Sequence, residues 1–574
     1  MRPHAWLAAA SVLACAAEPS DTGNQTGAQS TGAQSTGEPT SGAPTSAGPT
    51  STAGATGSAA SSSEATTAEP GTGATSEVSG EASTTATSTG ATTGEPVEPD
   101  PWVERRGALH VHTPYSHDAC DGAGLMGEVP NAPCLADLRA AVCATGHDFT
   151  LLTDHPAHMQ EHPFDRVLLY SQADGDELVM AAEATLYNRM RCADDRRVLL
   201  AAGYESTHTL PLGLHHHVDA SLYAGLTDDE PLAGAKALVD GLKAGGAVVA
   251  IAHSEEADLS AQRIVEVGLD AMEWYNPHGN FKTALGGDNI GGDPTKVLDL
   301  LQGLLPFMAG SKSGAHPDLV FLRLLPSWPV EGFEKWRVVQ RARPVTGLLG
   351  SDVHQNVAVD PICMNANPVL QAACVAAAEA VLPDALAGLV SGGTLMMSDG
   401  ERLDSYARVL RWLENRVLTP PGELTLASLQ DSLRAGRSYG LFSVFGAPEA
   451  LRFAGRTPAD ALLWIGDAAP APITLELRVP LRPVALGGAP FTAAEADKAE
   501  VRAELWRTDA VSSTKVHEST TPGDLVEFLA DAPGAYHVEI WIRPQHLKAA
   551  LGDQDALADG EYLWIITNPI RALP

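Results

Sequence analysis

Six short apolar runs in this chain each lead to residues able to hold a metal ion, and that rhythm limits the folds it can adopt. GALHVH ends on His110 and His112, HDFTLLTDH on Asp154 and His155, and RRVLLAAGYE on Glu205. GAVVAIAHSEE ends on His253 and Glu255, GLDAMEWYN carries Glu273 and Asn276, and VTGLLGSDVH ends on Asp352 and His354. Each run has the length of a buried strand, roughly four to eight residues. Between the runs lie helix-like segments such as DEPLAGAKALVDGLKAGG, opened by acids and closed by Gly-Gly. Strand and helix in alternation predict a parallel sheet with helices outside, open or closed into a barrel. In barrels of this kind functional side chains gather at the C-terminal strand ends.

His110 and His112 point to one face of an extended strand. Taken alone, that pair is as well read as two satisfied polar side chains. Its repetition at successive strand ends is what argues for a metal site. The front of the chain is different in texture. MRPHAWLAAASVLACAAEPS places Arg2 before an apolar stretch from Ala5 to Ala14, too short to span a bilayer. It reads as a secretory signal, residues 1–15, and Val12-Leu13-Ala14-Cys15 resembles a bacterial lipobox with Cys15 as the lipid anchor. Residues 16–100 are rich in Ser, Thr, Gly and Ala and hold no Lys, Arg or aromatic residue, so this linker is expected to be disordered and to act as a tether.

The chain has 574 residues, with 37 basic against 71 acidic, a balance that argues against a nucleic-acid or anionic-membrane partner. Beyond Cys15 stand Cys120, Cys134, Cys143, Cys192, Cys363 and Cys374, none in a CxxC pair, so a zinc-thiolate site is not expected. An exported chain permits up to three disulfides among these six, and the close pair Cys363–Cys374 is the first expected. No Ser-His-Asp arrangement stands out.

His110-x-His112 with TPYSHD, then LLTDH, GYE, IAHSEE and GSDVH, in that order, resemble the motif series of the PHP (polymerase and histidinol phosphatase) superfamily. SLRAGRSYGLF resembles the segment that closes such domains, so the likeness runs from about Gly107 to Gly440. The resemblance implies a distorted (β/α)7 TIM-like barrel, residues 101–445, holding two or three divalent metals (Zn, Mn or Fe) and hydrolysing phosphate esters. It implies that His110, His112, Asp352 and Glu205 hold one metal. Glu205 would bridge to a second, shared with His253 and a histidine of GLHHHVDA, either His215 or His217. His117, His155 and His354 match the ligands of a third, although Asp118 and Asp121 compete with His117 for its place. Asp352, Glu205 and His253 would carry catalysis through metal-bound hydroxide, with Asp154, Glu273 and Asn276 lining the pocket or orienting ligands.

Imidazole and carboxylate suit these metals, and a bridging carboxylate lets two cations approach by partly cancelling their repulsion. Arg105, Arg106, Arg189, Arg191, Arg196, Arg197 and Lys312 are candidates to hold a substrate anion, against ordinary surface placement. His216, His147, His158, His162, His208 and His316 read as ordinary surface or core histidines. Residues 446–574 alternate apolar and polar side chains between Gly/Pro-rich turns, which predicts a small β-sandwich. The expectation is therefore a lipid-tethered exported hydrolase, periplasm-facing or at the cell surface, acting on a small-molecule ester, phosphorylated first of all. A carbamate or aryl-ester hydrolase of the carbaryl-hydrolase type is the rival, and a non-catalytic surface binding protein on the same scaffold is the rival from another class. Pocket charge separates the first two: a phosphoesterase should bring Arg or Lys towards the metals.

Overall fold

A computed structural model describes residues 101–181, 184–256, 258–284, 302–324, 330–359, 393–449, 451–483, 485–486, 489–490 and 492–574, with 369, 372 and 376. The signal, Cys15, the 16–100 linker and the Cys363–Cys374 pair lie outside these residues. Among the described residues no helix is long and apolar enough to cross a membrane.

The molecule is mixed α/β around a large sheet. Strand β1 (Val103–Val111) is followed by helix α1 (Ala132–Ala144), β2 (Phe149–Leu152), β3 (Glu177–Ala181), β4 (Ala184–Arg191) and β5 (Arg197–Ala202). β1, β2 and β5 run parallel and side by side, with the β3–β4 hairpin added antiparallel beyond β5. All four residues of β2 are buried, as a parallel strand covered on both faces requires. β6 (Thr209–Leu212), α2 (Leu232–Ala244), β7 (Val248–Ile251), α3 (Ala261–Val267), β8 (Ala271–Tyr275), α4 (Pro277–Ala284), α5 (Val330–Ala342) and β9 (Thr346–Leu349) come next. α2 buries Ala235, Leu238, Val239 and Leu242, the spacing of one helical face, and ends at Gly245 before β7, as DEPLAGAKALVDGLKAGG predicted.

β6 pairs with β7, and β8 lies parallel to β9, each pair as a two-stranded sheet of its own. The expected barrel is therefore not a closed ladder: among the described residues the sheets stay separate. A few main-chain bonds link them instead, with three between β1 and the residues just after β9. Leu214 N–H donates to Ala202 O at 2.6 Å, Asp270 N–H to Val249 O at 2.9 Å, and Asp352 N–H to His110 O at 2.7 Å.

After β9 come α6 (Tyr406–Trp412), β10 (Glu414–Thr419), α7 (Leu426–Arg434) and β11 (Ser438–Leu441). β10 pairs antiparallel with β1 and β11. Residues 446–574 are β-rich. β12 (Arg452–Arg456), β13 (Leu462–Trp464), β15 (Ile473–Arg478) and β18 (Leu525–Ala530) form a four-stranded sheet, ordered β13-β12-β15-β18. β14 (Ala468–Pro470), β16 (Glu500–Thr508), β17 (Ser513–Ser519), β19 (Gly534–Arg543), β20 (Tyr562–Thr567) and β21 (Ile570–Leu573) belong to the large sheet, because β20 pairs with β11. One continuous apolar core holds Leu200, Leu349, Phe442, Leu475 and Ile540 alike.

Two buried asparagines serve where β9 lacks a strand on one side. Asn415 accepts from Leu349 N–H at 3.0 Å and donates to Leu349 O at 2.7 Å. Asn568 does the same for Gly347, at 2.8 and 3.0 Å, and donates to Ser438 O at 3.0 Å. A side-chain amide carries the same donor and acceptor as a peptide, so each acts as one missing rung of the ladder. Asn568→Ala is expected to leave both Gly347 groups buried and unpaired, lowering stability by about 3 kcal/mol in denaturant unfolding.

Candidate metal centre

The parallel strands β1, β2 and β5 share one C-terminal edge, and β8 and β9 point their ends to the same place. The backbone is locally forced there. His110 lies where the β1–β2 register shifts, with φ 57°, and His253 and Asp352 follow β7 and β9 with φ 50° and 49°. A non-glycine residue in this left-handed region costs on the order of 1–3 kcal/mol and persists only where its surroundings hold it. Here the twist turns three side chains inward. His110 and His112 therefore meet through an irregular strand end rather than plain alternation.

Glu205, after β5, and Asp352 are the hub. Glu205 Oε2 is 3.2 Å from Nε2 of both His110 and His112, while Asp352 Oδ1 is 3.3 and 3.4 Å from the same two atoms. His253 Nε2 is 2.9 Å from Glu205 Oε1 and 3.4 Å from Asp352 Oδ2. On the outer side, Asp118 Oδ2 lies 3.4 Å from Nε2 of both His155 and His354, and His155 Nε2 is 3.6 Å from Glu205 Oε2. Two compact donor sets result: His110, His112, Glu205 and Asp352 in an inner pocket, and His112, Asp118, His155 and His354 in an outer one. His278 adds Nδ1 at 3.3 Å from Asp352 Oδ2.

These atoms fit a divalent cation rather than one another. Ligands about 2.0–2.1 Å from a tetrahedral metal stand roughly 3.3 Å apart, close to the separations seen. Nε2 of His110, His112 and His354 and Oδ1 of Asp352 are buried and make no hydrogen bond. The other ring nitrogens are committed. His110 Nδ1–H donates to Glu273 Oε1 at 2.6 Å, His155 Nδ1–H to the Glu205 main-chain oxygen at 3.0 Å, and His354 Nδ1–H to the Asp352 main-chain oxygen at 2.7 Å. His112 Nδ1 is 3.1 Å from Ser116 Oγ. Such partners set each tautomer so that a lone pair on Nε2 faces the centre. Asn276 Nδ2 donates to Asp352 Oδ2 at 3.2 Å and Glu273 Oε2 at 3.3 Å, and Asp154 takes Thr113 N–H and Oγ1–H at 2.5 and 2.7 Å, fixing the turn after β1.

Electrostatics follow from burying this many charges together. Burial alone would lower the histidines, yet the carboxylates Asp352, Glu273 and Glu205 outweigh it and hold His110 well above its usual value. His112 is raised in the same way to about 9, and His253 well above normal. Burial would raise Glu205 and Asp352, but the surrounding histidines hold both well below the carboxylate range. His354, lowered by burial and by neighbouring His112, falls to about 3, and burial lifts Asp154 to about 6.

Not every expected ligand arrives. His117 is exposed, 4.9 Å ring to ring from His155, and it is Asp118 that faces the outer pocket, because the turn after Ser116 rotates His117 outward. His215 packs its ring against Gly246, and His217 spends both nitrogens on Tyr223 Oη at 2.8 Å and the His162 main-chain oxygen at 2.7 Å. Neither joins the centre. His278 was missed as a site residue, because it follows Pro277 at the start of α4 rather than ending an apolar run. Glu255, at the end of GAVVAIAHSEE, stands 3.5 Å from His253 Nδ1. The anion candidates are engaged elsewhere: Arg106 with Glu414, Arg189 with Glu423, Arg191 with Asp195, and Arg105, Arg196 and Arg197 on main-chain oxygens, with Lys312 exposed.

Two other acidic groupings differ in kind. His208 Nε2 lies 2.6 Å from Asp258, a hydrogen-bond distance, and Asp318, Asp399 and Glu401 already hold the guanidinium groups of Arg408 and Arg411.

No family model matches the chain, and no curated protein matches it. Among solved structures, a two-domain protein of Bacteroides vulgatus containing a predicted PHP-like metal-dependent phosphoesterase aligns at 12% identity. The alignment covers 82% of this chain and 96% of that one, with a TM-score of 0.29.

Two outcomes are expected. A Cβ on Gly350 would stand 1.8 Å from Glu273 Oε1, so Gly350→Ala should push Glu273 off His110 and weaken metal affinity about 10–100-fold in a chelator competition titration. A metal must also displace protons from His110, held well above its usual value, and from His112, which keeps its own up to about pH 9, so affinity should rise with pH through the neutral range to at least about pH 9. Calorimetry in buffers of different ionisation enthalpy should register protons released on metal uptake at pH 7.

Proposed function

We propose that this chain is a metal-dependent hydrolase of ester bonds, with phosphate esters the first substrate class. One observation carries the reading: buried, unbonded Nε2 atoms and a carboxylate oxygen converge from separate strand ends, with the opposite ring nitrogens already held by the protein. Bound divalent metals would supply a hydroxide nucleophile near neutral pH and polarise the ester. His110, His112, Glu205 and Asp352 would hold one ion, and Asp118, His155 and His354 the next. Glu273 and Asn276 keep His110 and Asp352 oriented. His253 and His278 stand beside the hub, ready to complete a coordination shell or to donate to substrate oxygens.

In this reading the strands of residues 101–445 form a distorted (β/α)7 barrel, joined by a few main-chain bonds and by Asn415 and Asn568 where the ladder breaks. The β-rich remainder, 446–574, is an appendage on the same sheet. The chain would be exported and held on a lipid at Cys15 by the 16–100 linker. Two disulfides support an oxidising compartment, Cys120–Cys134 and Cys143–Cys192.

A second reading, cleavage of a carbonyl ester, has its own observation. Among the described residues no Arg or Lys pairs with the central carboxylates, and a small hollow beside His278, Asp352 and His354 is walled by Leu324, Val357, Leu403, Val409 and Trp412. Asp352→Ala is expected to remove bound metal and lower kcat/KM by at least about 100-fold. The assay compares p-nitrophenyl phosphate, bis-p-nitrophenyl phosphate and p-nitrophenyl acetate on metal-reconstituted protein. Turnover of the phosphates supports the first reading and turnover of acetate alone the second. Full activity in Asp352→Ala would refute the site.

A further inference from the structure

The inner pocket is built from strand ends, but the outer one depends on a loop. Asp118 belongs to the turn between His112 and α1, and little of that turn is held by regular structure. Ser116 Oγ–H donates to Asp118 Oδ1 at 2.8 Å, leaving Oδ2 for the pocket. Two residues later Cys120 N–H donates to His354 O at 2.9 Å, and Asp121 N–H to Gln355 O at 2.8 Å. Cys120 and Asp121 both adopt φ 57°, a conformation that needs outside restraint. Two restraints are present. The Cys120–Cys134 disulfide joins the loop to the first turn of α1. Arg402 grips Asp121 through two bonds of 2.8 and 2.9 Å while also holding Asp404. Helix α1 is itself fixed at its far end by Cys143–Cys192.

We infer that the Cys120–Cys134 disulfide is the positioning device of the outer pocket, so that metal capture by Asp118, His155 and His354 follows oxidation of this pair. The inference rests on the metal-centre reading above and adds an order to its assembly. On oxidation the two thiols form one S–S bond and give up two protons and two electrons to a disulfide oxidant, which leaves as its dithiol. Bond formation brings Cys120 to α1, and its amide then pins the His354 main chain while Asp118 is turned towards His155. Before oxidation the inner pocket already has its ligands, since His110, Glu205 and Asp352 sit at strand ends.

The test is metal content per chain, by elemental analysis, after reconstituting the full chain with zinc alone. Oxidised wild type should hold one ion more than Cys120→Ala/Cys134→Ala, while Cys143→Ala/Cys192→Ala should match wild type. Asp118→Asn should lose the same ion with both disulfides intact, as verified by mass. Arg402→Ala, which leaves every cysteine in place, should weaken that ion's retention against a chelator at least several-fold. Equal metal content in wild type and Cys120→Ala/Cys134→Ala would overturn the inference, as would equal losses from both cysteine pairs. If the first double variant fails to fold, Cys143→Ala/Cys192→Ala, which keeps only the Cys120–Cys134 disulfide, is reconstituted with zinc before and after reduction, and equal metal content in the two states overturns the inference. Oxidised wild type that takes up no zinc would instead overturn the metal-centre reading itself.

Discussion

Glu205 and Asp352 are both buried, with carboxylate oxygens turned on the same two imidazole nitrogens. Two ionised carboxylates cannot share a core without positive charge between them, because desolvation and mutual repulsion both oppose it. Most of the site follows from that constraint. Protons on His110, His112 and His253 answer it in the metal-free chain, and divalent cations answer it better. Glu273 adds a further negative charge behind His110, so the whole region is tuned to attract cations. The overall acidity of the chain is thus no obstacle to binding an anionic substrate, provided the metals present the positive face.

The second layer explains why the arrangement holds its shape. Each central imidazole is oriented by a bond from the nitrogen that does not face the centre, and those partners are mostly main-chain oxygens or carboxylates fixed by strands. The strained residues lie where they are useful. His110, His253 and Asp352 take left-handed backbone so that strand ends can aim inward, and the continuous apolar core supplies the stability that offsets the strain. The outer pocket lacks such strand support, and it is there that a disulfide and a bidentate arginine pair appear.

Much of the centre could be read from residue order. His110, His112, His155, Glu205, His253, Asp352 and His354 all lie at or just past the ends of apolar runs, and all come together. What failed did so for local reasons. HDACDG offers several ligand types within a few residues, and only the turn geometry shows that Asp118 faces in while His117 faces out. GLHHHVDA looks like a ligand run, yet Tyr223, the His162 carbonyl and Gly246 occupy His217 and His215. His278 follows Pro277 at a helix start rather than ending a hydrophobic run, so the strand-end rule passed over it.

The sequence by itself determined the alternation of strands and helices, the β-rich texture after residue 446 and the residue types at the strand ends. Those depend on hydrophobic periodicity and on side-chain chemistry, both local. Only the tertiary structure decided that the ladders do not close, that Asn415 and Asn568 stand in for missing rungs, and that Cys120 pairs with Cys134 and Cys143 with Cys192. Those outcomes depend on which distant segments meet, and residues far apart in the chain, such as Gly347 and Asn568, carry no mark of each other until packing brings their donors and acceptors within reach.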